Sequence, residues 1–329
     1  MNEEQVFYIS KKSLRLILGA MFFTAAVLKL LSIDYFEIYI YSFNLFSFEL
    51  TTILSRVLIS CEILLGLGMI LKIFYKKVWW LSMIMMIGFT IFLLYVIVFR
   101  NDDNCHCFGE LIRLDPSESI IKNIITLLLL LVVKKEIDGN YKPRFKKWLI
   151  GISLAVSIIL PFVVFPMDIL YNKIVSKDGN INTSVFERSL KDSINIIRLE
   201  IIPQNDSLLI HRDSLTKLDI TNDKHIINYV SAGCKFCKMG AQKLMMIMNH
   251  NEMDYQRLKF MIWGYDIDII NFIKETETIG CEYWFINPMT SIDITNGKFP
   301  VYVWTENGLI VNSGDMRDLN ENMITDFLK

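Results

Sequence analysis

The fold of the C-terminal part of the chain is decided by residues 226–248, which read IINYVSAGCKFCKMGAQKLMMIM. The first five residues are mostly apolar and include β-branched side chains, so they predict a buried strand. Residues 231–233 predict a turn, and the segment from Cys234 onward has the apolar spacing of a helix. Cys237 lies one turn further into that helix. The stretch therefore predicts a strand, a turn that presents two thiols, and a helix.

The two thiols of this motif are expected to differ in their chemistry. A cysteine at a helix N-terminus has its pKa lowered by unpaired N–H groups and the helix dipole, and Lys235 adds local positive charge. Cys234 is therefore predicted to be the nucleophile, and the more shielded Cys237 is predicted to resolve the mixed disulfide. Two other interpretations stay open: an inert structural disulfide, and half of a zinc site. Zinc needs two further ligands, and the sequence has no second CxxC and no HxxxH.

The elements that follow the motif complete a recognisable order. The sequence predicts a strand at Leu258–Trp263, a helix at Asp266–Thr278, a strand at Glu282–Ile286, a strand at Phe299–Trp304, a hairpin turn at Glu306–Gly308, a return strand at Leu309–Asn312 and a closing helix at Met316–Leu328. Two earlier β-type runs, Ile194–Ile202 and Ser207–Ile210, have no assigned partner. Cys281 is predicted to be a buried free thiol without a role.

This order resembles the thioredoxin fold over about Ile194–Lys329. The resemblance implies that Pro300 is cis and lies against the active-site cysteines, so Pro300 joins Cys234 and Cys237 as a predicted site residue. The wide gap between the CxxC motif and this proline is similar to the periplasmic, membrane-tethered branch of the family. One departure is Gly233, which stands where the family usually has a tryptophan, and it affects partner preference and redox potential rather than the class of chemistry.

The first half of the chain has a different composition. The protein of 329 residues is 53% hydrophobic with a net charge of −1 and a mean hydropathy of +0.37. This charge balance, together with the absence of a glycine-rich phosphate loop, gives no reason to expect nucleic acid as a partner. Five apolar stretches are predicted to span a lipid bilayer: Leu14–Leu31, Thr51–Leu71, Val78–Phe99, Ser117–Val133 and Trp148–Phe165.

The basic residues that flank these spans predict their orientation. Eleven lie on one side, against two on the other, Arg100 and Arg113. The eleven are Lys11, Lys12, Lys72, Lys76, Lys77, Lys134, Lys135, Lys142, Arg144, Lys146 and Lys147. The positive-inside rule then places the N-terminus in the cytoplasm, and five spans place the C-terminal domain outside. We therefore expect a bacterial inner-membrane protein with its thioredoxin-like domain in the periplasm, an oxidising compartment. The loop of residues 101–118 is expected on the same side.

That loop carries a second cysteine pair, Cys105-His106-Cys107, followed by Phe108 and Gly109. Together with the span fragments Leu18–Leu30 and Arg56–Gly66, it resembles the MauE/DoxX group of redox-associated membrane proteins, four-helix bundles with a CxCFG-type loop. The resemblance covers about residues 11–135 and implies a link to disulfide formation in exported proteins. Read from the residues alone, the pair is expected to close a strained small-ring disulfide that is easily reduced.

Several roles stay open in the membrane half. The Cys105/Cys107 pair is interpreted as a redox relay, with a structural bridge or a soft-metal site for copper or zinc as the alternatives. His106 either lowers a neighbouring thiol pKa or is an exposed loop histidine. Glu62 lies inside an apolar span, where a carboxylate suggests a functional site, and it is expected to pair with Lys29 or Arg56. The alternative is that this pair only fixes helix packing.

The predicted architecture is an α-helical membrane bundle of about five transmembrane helices followed by an α/β thioredoxin-like domain. Its expected parts are residues 1–147 (four-helix domain), 148–165 (fifth helix), 166–193 (linker) and 194–329 (thioredoxin-like domain). We expect a membrane-bound thiol–disulfide oxidoreductase for exported proteins with cysteines, in which the Cys105/Cys107 pair exchanges with the Cys234/Cys237 pair and with an upstream redox partner. Two alternatives are a non-catalytic assembly factor or chaperone for an exported partner, and a metal-handling membrane protein.

No cofactor is expected. The architecture also resembles the vitamin K epoxide reductase type, in which a four-helix bundle passes electrons between a thioredoxin domain and a quinone. No CxxC lies within a predicted span here, so quinone coupling lacks support.

Overall fold

The computed structural model describes residues 3–100, 102, 104–134, 147–168, 181–192, 196–204 and 207–329. They form two compact units, Met1–Phe43 with Glu49–Met167 and Asn44–Phe48 with Asp168–Lys329. We refer to them as the membrane unit and the thioredoxin-like unit, and each is described by itself.

The described part of the membrane unit consists of helices joined by short connections and by the cysteine loop before Pro116. Its helices are α1 (Glu3–Leu31), α2 (Ile33–Tyr41), α3 (Phe48–Leu71), α4 (Tyr75–Phe99), α5 (Pro116–Val133) and α6 (Lys147–Val164). Four helical segments are long and apolar enough to cross a membrane: Lys11–Leu31, Phe48–Leu71, Tyr75–Phe99 and Pro116–Val133. The apolar part of α6, Ile150–Val164, is shorter. The first four predicted spans are confirmed as helices with these bounds, and the fifth predicted span coincides with α6.

Helix α2 lies between the first two predicted spans, where no element was predicted from the sequence. Its apolar face packs into the bundle, although it also carries Asp34 and Glu37. Ile33 and Phe36 are buried against residues of α1 and α3, among them Ala26 and Ile59. Burial of this apolar face stabilises a helix that is too short to be stable alone.

The thioredoxin-like unit is built on a seven-stranded sheet with the order β2-β1-β5-β4-β3-β6-β7. The strands are β1 (Ile196–Gln204), β2 (Ser207–Asp213), β3 (Lys224–Ser231), β4 (Leu258–Trp263), β5 (Glu282–Ile286), β6 (Val301–Glu306) and β7 (Leu309–Gly314). Its helices are α7 (Thr183–Asp192), α8 (Lys235–His250), α9 (Asp266–Thr276), α10 (Pro288–Thr295) and α11 (Glu321–Leu328). Strand β3 is central, parallel to β4 and antiparallel to β6, and β1 and β2 form an antiparallel hairpin.

The predicted strands agree closely with this sheet. Strands β4 and β5 have the predicted bounds, and the predicted hairpin joins β6 to β7. Asn307 and Gly308 both have positive φ, at 50° and 81°, which is the conformation that a tight hairpin turn requires. The fold class predicted from the sequence, a membrane bundle followed by a thioredoxin-like domain, is confirmed.

Three details differ from the sequence prediction. The predicted linker of residues 166–193 contains helix α7, whose Phe186 is fully buried in the core of the thioredoxin-like unit; residues 169–180 lie outside the described part. Helix α10 was not predicted, although Asn287 as N-cap and Pro288 at the first position are ordinary helix-start signals. The predicted closing helix is broken into a short 3₁₀ turn at Met316–Asp318 and α11, because Asn320 caps a new helix.

Candidate functional site

The CxxC motif lies where the sequence predicted it, between a central strand and the helix that follows. Strand β3 ends at Ser231, and Cys234 is the N-cap of α8. The backbone N–H of Cys237 donates to the Cys234 sulfur at 3.3 Å, so this sulfur takes the place of an oxygen in an ordinary helix cap. Cys237 itself is fully buried, and its sulfur receives the Ser231 N–H at 3.5 Å.

These surroundings give the Cys234 and Cys237 thiols different pKa values. The hydrogen bond from the Cys237 thiol, together with backbone N–H groups of Cys237 and Phe236, lowers the pKa of Cys234 to about 6 despite partial burial. Burial, followed by the proximity of Cys234, raises the pKa of Cys237 well above its ordinary value. The lowering at Cys234 thus comes from hydrogen bonds rather than from the Lys235 charge that the sequence suggested. At neutral pH the motif holds one thiolate and one thiol.

Pro300 precedes β6, and the Phe299–Pro300 peptide bond is cis, as the thioredoxin resemblance implied. In the antiparallel pairing of β3 with β6, Tyr229 is opposite Val301, so Pro300 adjoins the end of β3 that leads to Cys234. Phe236, between the two cysteines, is 58% exposed and forms part of the surface beside the Cys234 thiol. The remaining cysteine of this unit, Cys281, is buried as predicted, and burial raises its pKa to about 12.

The second cysteine pair belongs to the membrane unit, in the loop before α5. Cys105 is only 3% exposed, and its sulfur lies 2.9 Å from the Ser119 hydroxyl of α5. The Cys107 N–H also donates to the Cys105 sulfur at 3.3 Å, while Cys107 is partly exposed. Asp115 caps α5 in a capping box with Glu118, which fixes the start of the helix that carries Ser119.

The loop pair shows the same separation of acidities as the CxxC motif. Hydrogen bonds from the Cys107 thiol, then from Ser119 and the Cys107 N–H, lower the pKa of Cys105 to about 6 against the effect of burial. The hydrogen bond to Cys105 and burial raise the pKa of Cys107 well above its ordinary value. Each pair therefore consists of one sulfur stabilised as a thiolate and one sulfur kept as a thiol.

His106 does not match either role that the sequence left open. It is partly buried, with its ring 4.7 Å from the ring of Tyr39, rather than an exposed loop residue. Burial lowers the pKa of His106, so the ring is neutral at neutral pH and does not supply a positive charge to the thiols. The nearby cation that attracts the Cys105 thiolate is Lys122 of α5, which sequence reasoning had not connected to the loop.

A sequence signal for this connection exists. From Ser119 onward, helix α5 is apolar except for polar residues at three- and four-residue spacing, which places them on one helix face. They are Ser119, Lys122, Asn123 and Thr126, and three of them, Ser119, Asn123 and Thr126, are buried. A polar face in an apolar span points to a polar neighbour, and here that neighbour includes the cysteine loop.

Gly109 holds the cysteine loop against α1. Its φ of +68° favours glycine, and a β-carbon there would meet the Ser32 hydroxyl and come within 2.6 Å of the Leu28 carbonyl oxygen. The Ser32 hydroxyl also accepts the Glu110 N–H at 3.0 Å, so the close approach is part of a hydrogen-bonded contact. This explains physically why glycine ends the CxCFG-type motif.

Substitution Gly109→Ala is therefore expected to displace the loop and destabilise the membrane unit. We expect a cost of about 1 to 3 kcal/mol from the positive φ and the steric overlap. Thermal unfolding in lipid nanodiscs, with alkylation of Cys105 as a local probe, measures both effects. Gly88→Ala in α4 is the matched control, since a β-carbon at Gly88 has no neighbour within 4 Å. Equal unfolding temperatures of the two variants would contradict this account of the loop.

Among the described residues of the membrane unit, two ion pairs are buried. Lys29 of α1 pairs with Glu62 of α3, which was one of the two partners that the sequence suggested. The other suggested partner, Arg56, pairs instead with Glu37 of α2. Its Nε and one terminal guanidinium nitrogen also donate to the Phe165 carbonyl oxygen, at 3.1 and 3.0 Å. Sequence reasoning missed Glu37 because α2 was not predicted, so no residue of this segment was considered as a partner.

Within the described ranges, no group of three or more His, Cys, Asp or Glu side chains is arranged to hold a metal ion. The loop residues Cys105, His106 and Cys107 therefore do not form such a group in this structure. Glu110 interacts with His106 across 3.6 Å and with Arg113, and these contacts occupy the carboxylate nearest to the histidine.

Comparison with known proteins gives three similarities. Residues 6–134 match the family model described as "Methylamine utilisation protein MauE". "Protein TlpB" of Flavobacterium psychrophilum is 27% identical over 308 residues, which cover 82% of this chain and 80% of that protein. The crystal structure of the thioredoxin domain of a thiol-disulfide oxidoreductase from Bacteroides vulgatus is 15% identical, with a TM-score of 0.29, over 41% of this chain and 94% of that one.

The thioredoxin-like fold itself is carried by the sheet order, the CxxC motif at the N-terminus of α8 and the cis proline before β6. The chain thus joins a MauE-like membrane domain at residues 6–134 to a thioredoxin-like domain in its C-terminal half.

Proposed function

We propose that this protein is a membrane-bound thiol–disulfide oxidoreductase that acts on cysteines of exported proteins. The observation that carries the proposal is the pairing of acidities: Cys234 and Cys105 each have a pKa lowered to about 6, and each is hydrogen-bonded to a cysteine with a raised pKa. One attacking thiolate with one protonated resolving thiol is the arrangement that disulfide exchange requires. The similarity to the MauE family and the thioredoxin-like fold support the same chemistry.

The proposed topology follows from charge and span count. The basic flanks of the spans support a cytoplasmic N-terminus, and a crossing by α6 would put the thioredoxin-like domain on the outer side, together with the cysteine loop. In a bacterium that side is the periplasm, where exported proteins acquire disulfides. The two cysteine pairs then share one compartment. Because both belong to one polypeptide chain, each pair is present at a high effective concentration near the other.

The proposed relay transfers two electrons between the pairs without any other reactant. The Cys234 thiolate attacks the Cys107 sulfur of an oxidised loop; the Cys234–Cys107 bond forms, the Cys105–Cys107 bond breaks, and Cys105 leaves as a thiolate. Cys237 then loses its proton and attacks Cys234, and Cys107 leaves and takes up a proton. The CxxC pair is oxidised and the loop pair is reduced.

Two properties of the loop favour Cys107 as the sulfur that is attacked. Cys107 is partly exposed, whereas Cys105 is 3% exposed. The leaving thiol is the one with the lower pKa, and the pKa of Cys105 is lowered to about 6. The reverse reaction uses the same steps, so an upstream redox partner of the loop sets the direction. We propose no cofactor.

Substitution Cys237→Ala tests the relay, because a mixed disulfide formed by Cys234 then cannot be resolved. Cells are quenched with acid and alkylated, and the full-length protein is analysed on non-reducing gels and by peptide mapping. We expect an internal bridge between Cys234 and Cys107, together with bridges to exported proteins. The double variant Cys234→Ala/Cys237→Ala is the matched control and is expected to form neither species.

The other outcomes each remove part of the proposal. Bridges to exported proteins alone would leave an oxidoreductase without an internal relay and make the membrane unit an anchor. A bridge to Cys105 rather than Cys107 would overturn the order of attack. If no bridged species forms, the protein is better described as an assembly factor or chaperone for an exported partner.

A further inference from the structure

Lys122 is an ionisable residue in a membrane-spanning helix that the proposed relay does not yet use. It lies in α5, and an amine at such a depth is costly unless it has a partner. Its ammonium nitrogen lies 4.5 Å from the centroid of the Phe108 ring, the residue that directly follows Cys107. Ser119, one helical turn before Lys122, touches the Cys105 sulfur. The Lys122 side chain is therefore directed toward the cysteine loop.

The charges around this position do not balance. Lys29 and Glu62 form a buried pair with each other, and among the described residues no carboxylate forms an ion pair with Lys122. Of the other described charged groups beside the cysteines, Glu110 interacts with Arg113 and His106, and Asp102 pairs with Arg100. His106 is neutral, since burial lowers its pKa. Among the described residues, the Lys122 ammonium is therefore left without a carboxylate partner.

We propose that Lys122 is the counter-ion that holds a negative charge on Cys105 when the loop pair is reduced. The proposal rests on the exchange chemistry proposed above and adds to it a residue from the membrane-spanning part of the chain. The contact of the Lys122 ammonium with the Phe108 ring orients it toward the loop whether or not the pair is oxidised. Reduction adds a thiolate on Cys105 that the Lys122 charge attracts. Transfer from the CxxC motif then moves the negative charge of Cys234 to Cys105 together with the two electrons.

The acidity of Cys105 agrees with this role. Hydrogen bonds from the Cys107 thiol and Ser119 contribute more to the lowered pKa of Cys105, and the Lys122 charge adds to them. Lys122 acts in the same direction on Cys107, although the hydrogen bond to Cys105 keeps the pKa of Cys107 raised. Lys122 is thus a positioning and electrostatic residue that acts through the sulfur, and it is not placed in contact with a substrate.

The test measures the pH dependence of Cys105 alkylation in the reduced full-length protein in lipid nanodiscs. Iodoacetamide is applied in short pulses between pH 4 and 9, at roughly unit intervals, and modification of Cys105 is quantified by peptide mapping. Lys122→Gln and Lys122→Met are each expected to raise the midpoint by about one pH unit, a tenfold loss of thiolate on the acid side. Lys122→Arg retains the charge and is expected to keep the midpoint of the native protein.

Lys134→Gln is the matched control, since Lys134 lies at the other end of the same helix and is expected to leave the midpoint unchanged. Thermal unfolding in the same nanodiscs reports whether the membrane unit is intact, and only variants that unfold near the native temperature are compared. An unchanged Cys105 midpoint in both neutral variants would overturn the proposal. A raised midpoint in Lys122→Arg equal to that of Lys122→Gln would also overturn it, because the effect would then be one of shape.

A second measurement is the equilibrium of the loop disulfide with glutathione. Removing the counter-ion disfavours the reduced loop, so Lys122→Gln is expected to retain its disulfide at a several-fold higher ratio of reduced to oxidised glutathione. These outcomes are separate from those of the trapping experiment. A raised Cys105 midpoint without a Cys234–Cys107 bridge would support Lys122 as counter-ion and contradict the relay. A Cys234–Cys107 bridge with an unchanged Cys105 midpoint would support the relay and contradict the role of Lys122.

Discussion

The variant Cys234→Ala is expected to lose thiol–disulfide exchange down to the uncatalysed background. The reason is that Cys237 is fully buried with a raised pKa, and the other thiolate, Cys105, is only 3% exposed and so is not accessible to a peptide. The measurement is reduction of a fluorescent disulfide peptide by the reduced full-length protein in lipid nanodiscs. In the native protein, the rate is expected to follow the Cys234 thiolate, with a midpoint near the pKa of about 6.

The sign of this pH dependence is fixed. The thiolate is the reactive form, so the rate falls as the pH drops below the pKa of Cys234, to about a tenth of its plateau at one unit below. Cys281→Ala is the matched control, because this thiol is buried with a pKa raised to about 12 and is expected to contribute nothing. Full exchange activity in the Cys234→Ala variant would contradict the catalytic assignment and favour a non-catalytic assembly role.

The variants Lys29→Met and Glu62→Leu are each expected to destabilise the membrane unit strongly. Both side chains are at most 4% exposed and pair with each other, so removal of one leaves an uncompensated buried charge. The loss from breaking such a pair is about 3 to 5 kcal/mol. The double variant Lys29→Met/Glu62→Leu replaces both charges by apolar side chains and is expected to recover most of that loss. Unfolding by denaturant in mixed micelles measures all three.

Arg113→Gln is the comparison for an exposed pair, since the Arg113 side chain is 73% exposed and its interaction with Glu110 is expected to contribute under about 1 kcal/mol. The double variant also decides what the buried pair is for. We expect it to retain disulfide exchange, which makes the pair a packing device. A stable double variant without exchange would instead place Glu62 in the chemistry.

Much of this protein is determined locally and can be read from its sequence. The strand, turn and helix around Cys234 follow from short-range preferences, and the sulfur of Cys234 takes a cap position that the residues next to it create. The spans follow from composition, because any segment long and apolar enough is stable as a helix in a bilayer. The Asn307–Gly308 hairpin is equally local, since the turn requires the positive φ that these residues tolerate.

Other features depend on partners that are distant in the sequence, and only the tertiary structure decided them. The sequence suggested either Lys29 or Arg56 as the partner of Glu62. In the structure α2 packs against α3, Arg56 forms its ion pair with Glu37, and Lys29 forms the ion pair with Glu62. It left His106 open as a residue that lowers a thiol pKa, but burial makes this histidine neutral, and Cys107, Ser119 and Lys122 lower the pKa of Cys105 instead. The acidity of a thiol depends on which donors and charges surround it in space. These neighbours come from separate helices, so no local pattern in the sequence fixes them.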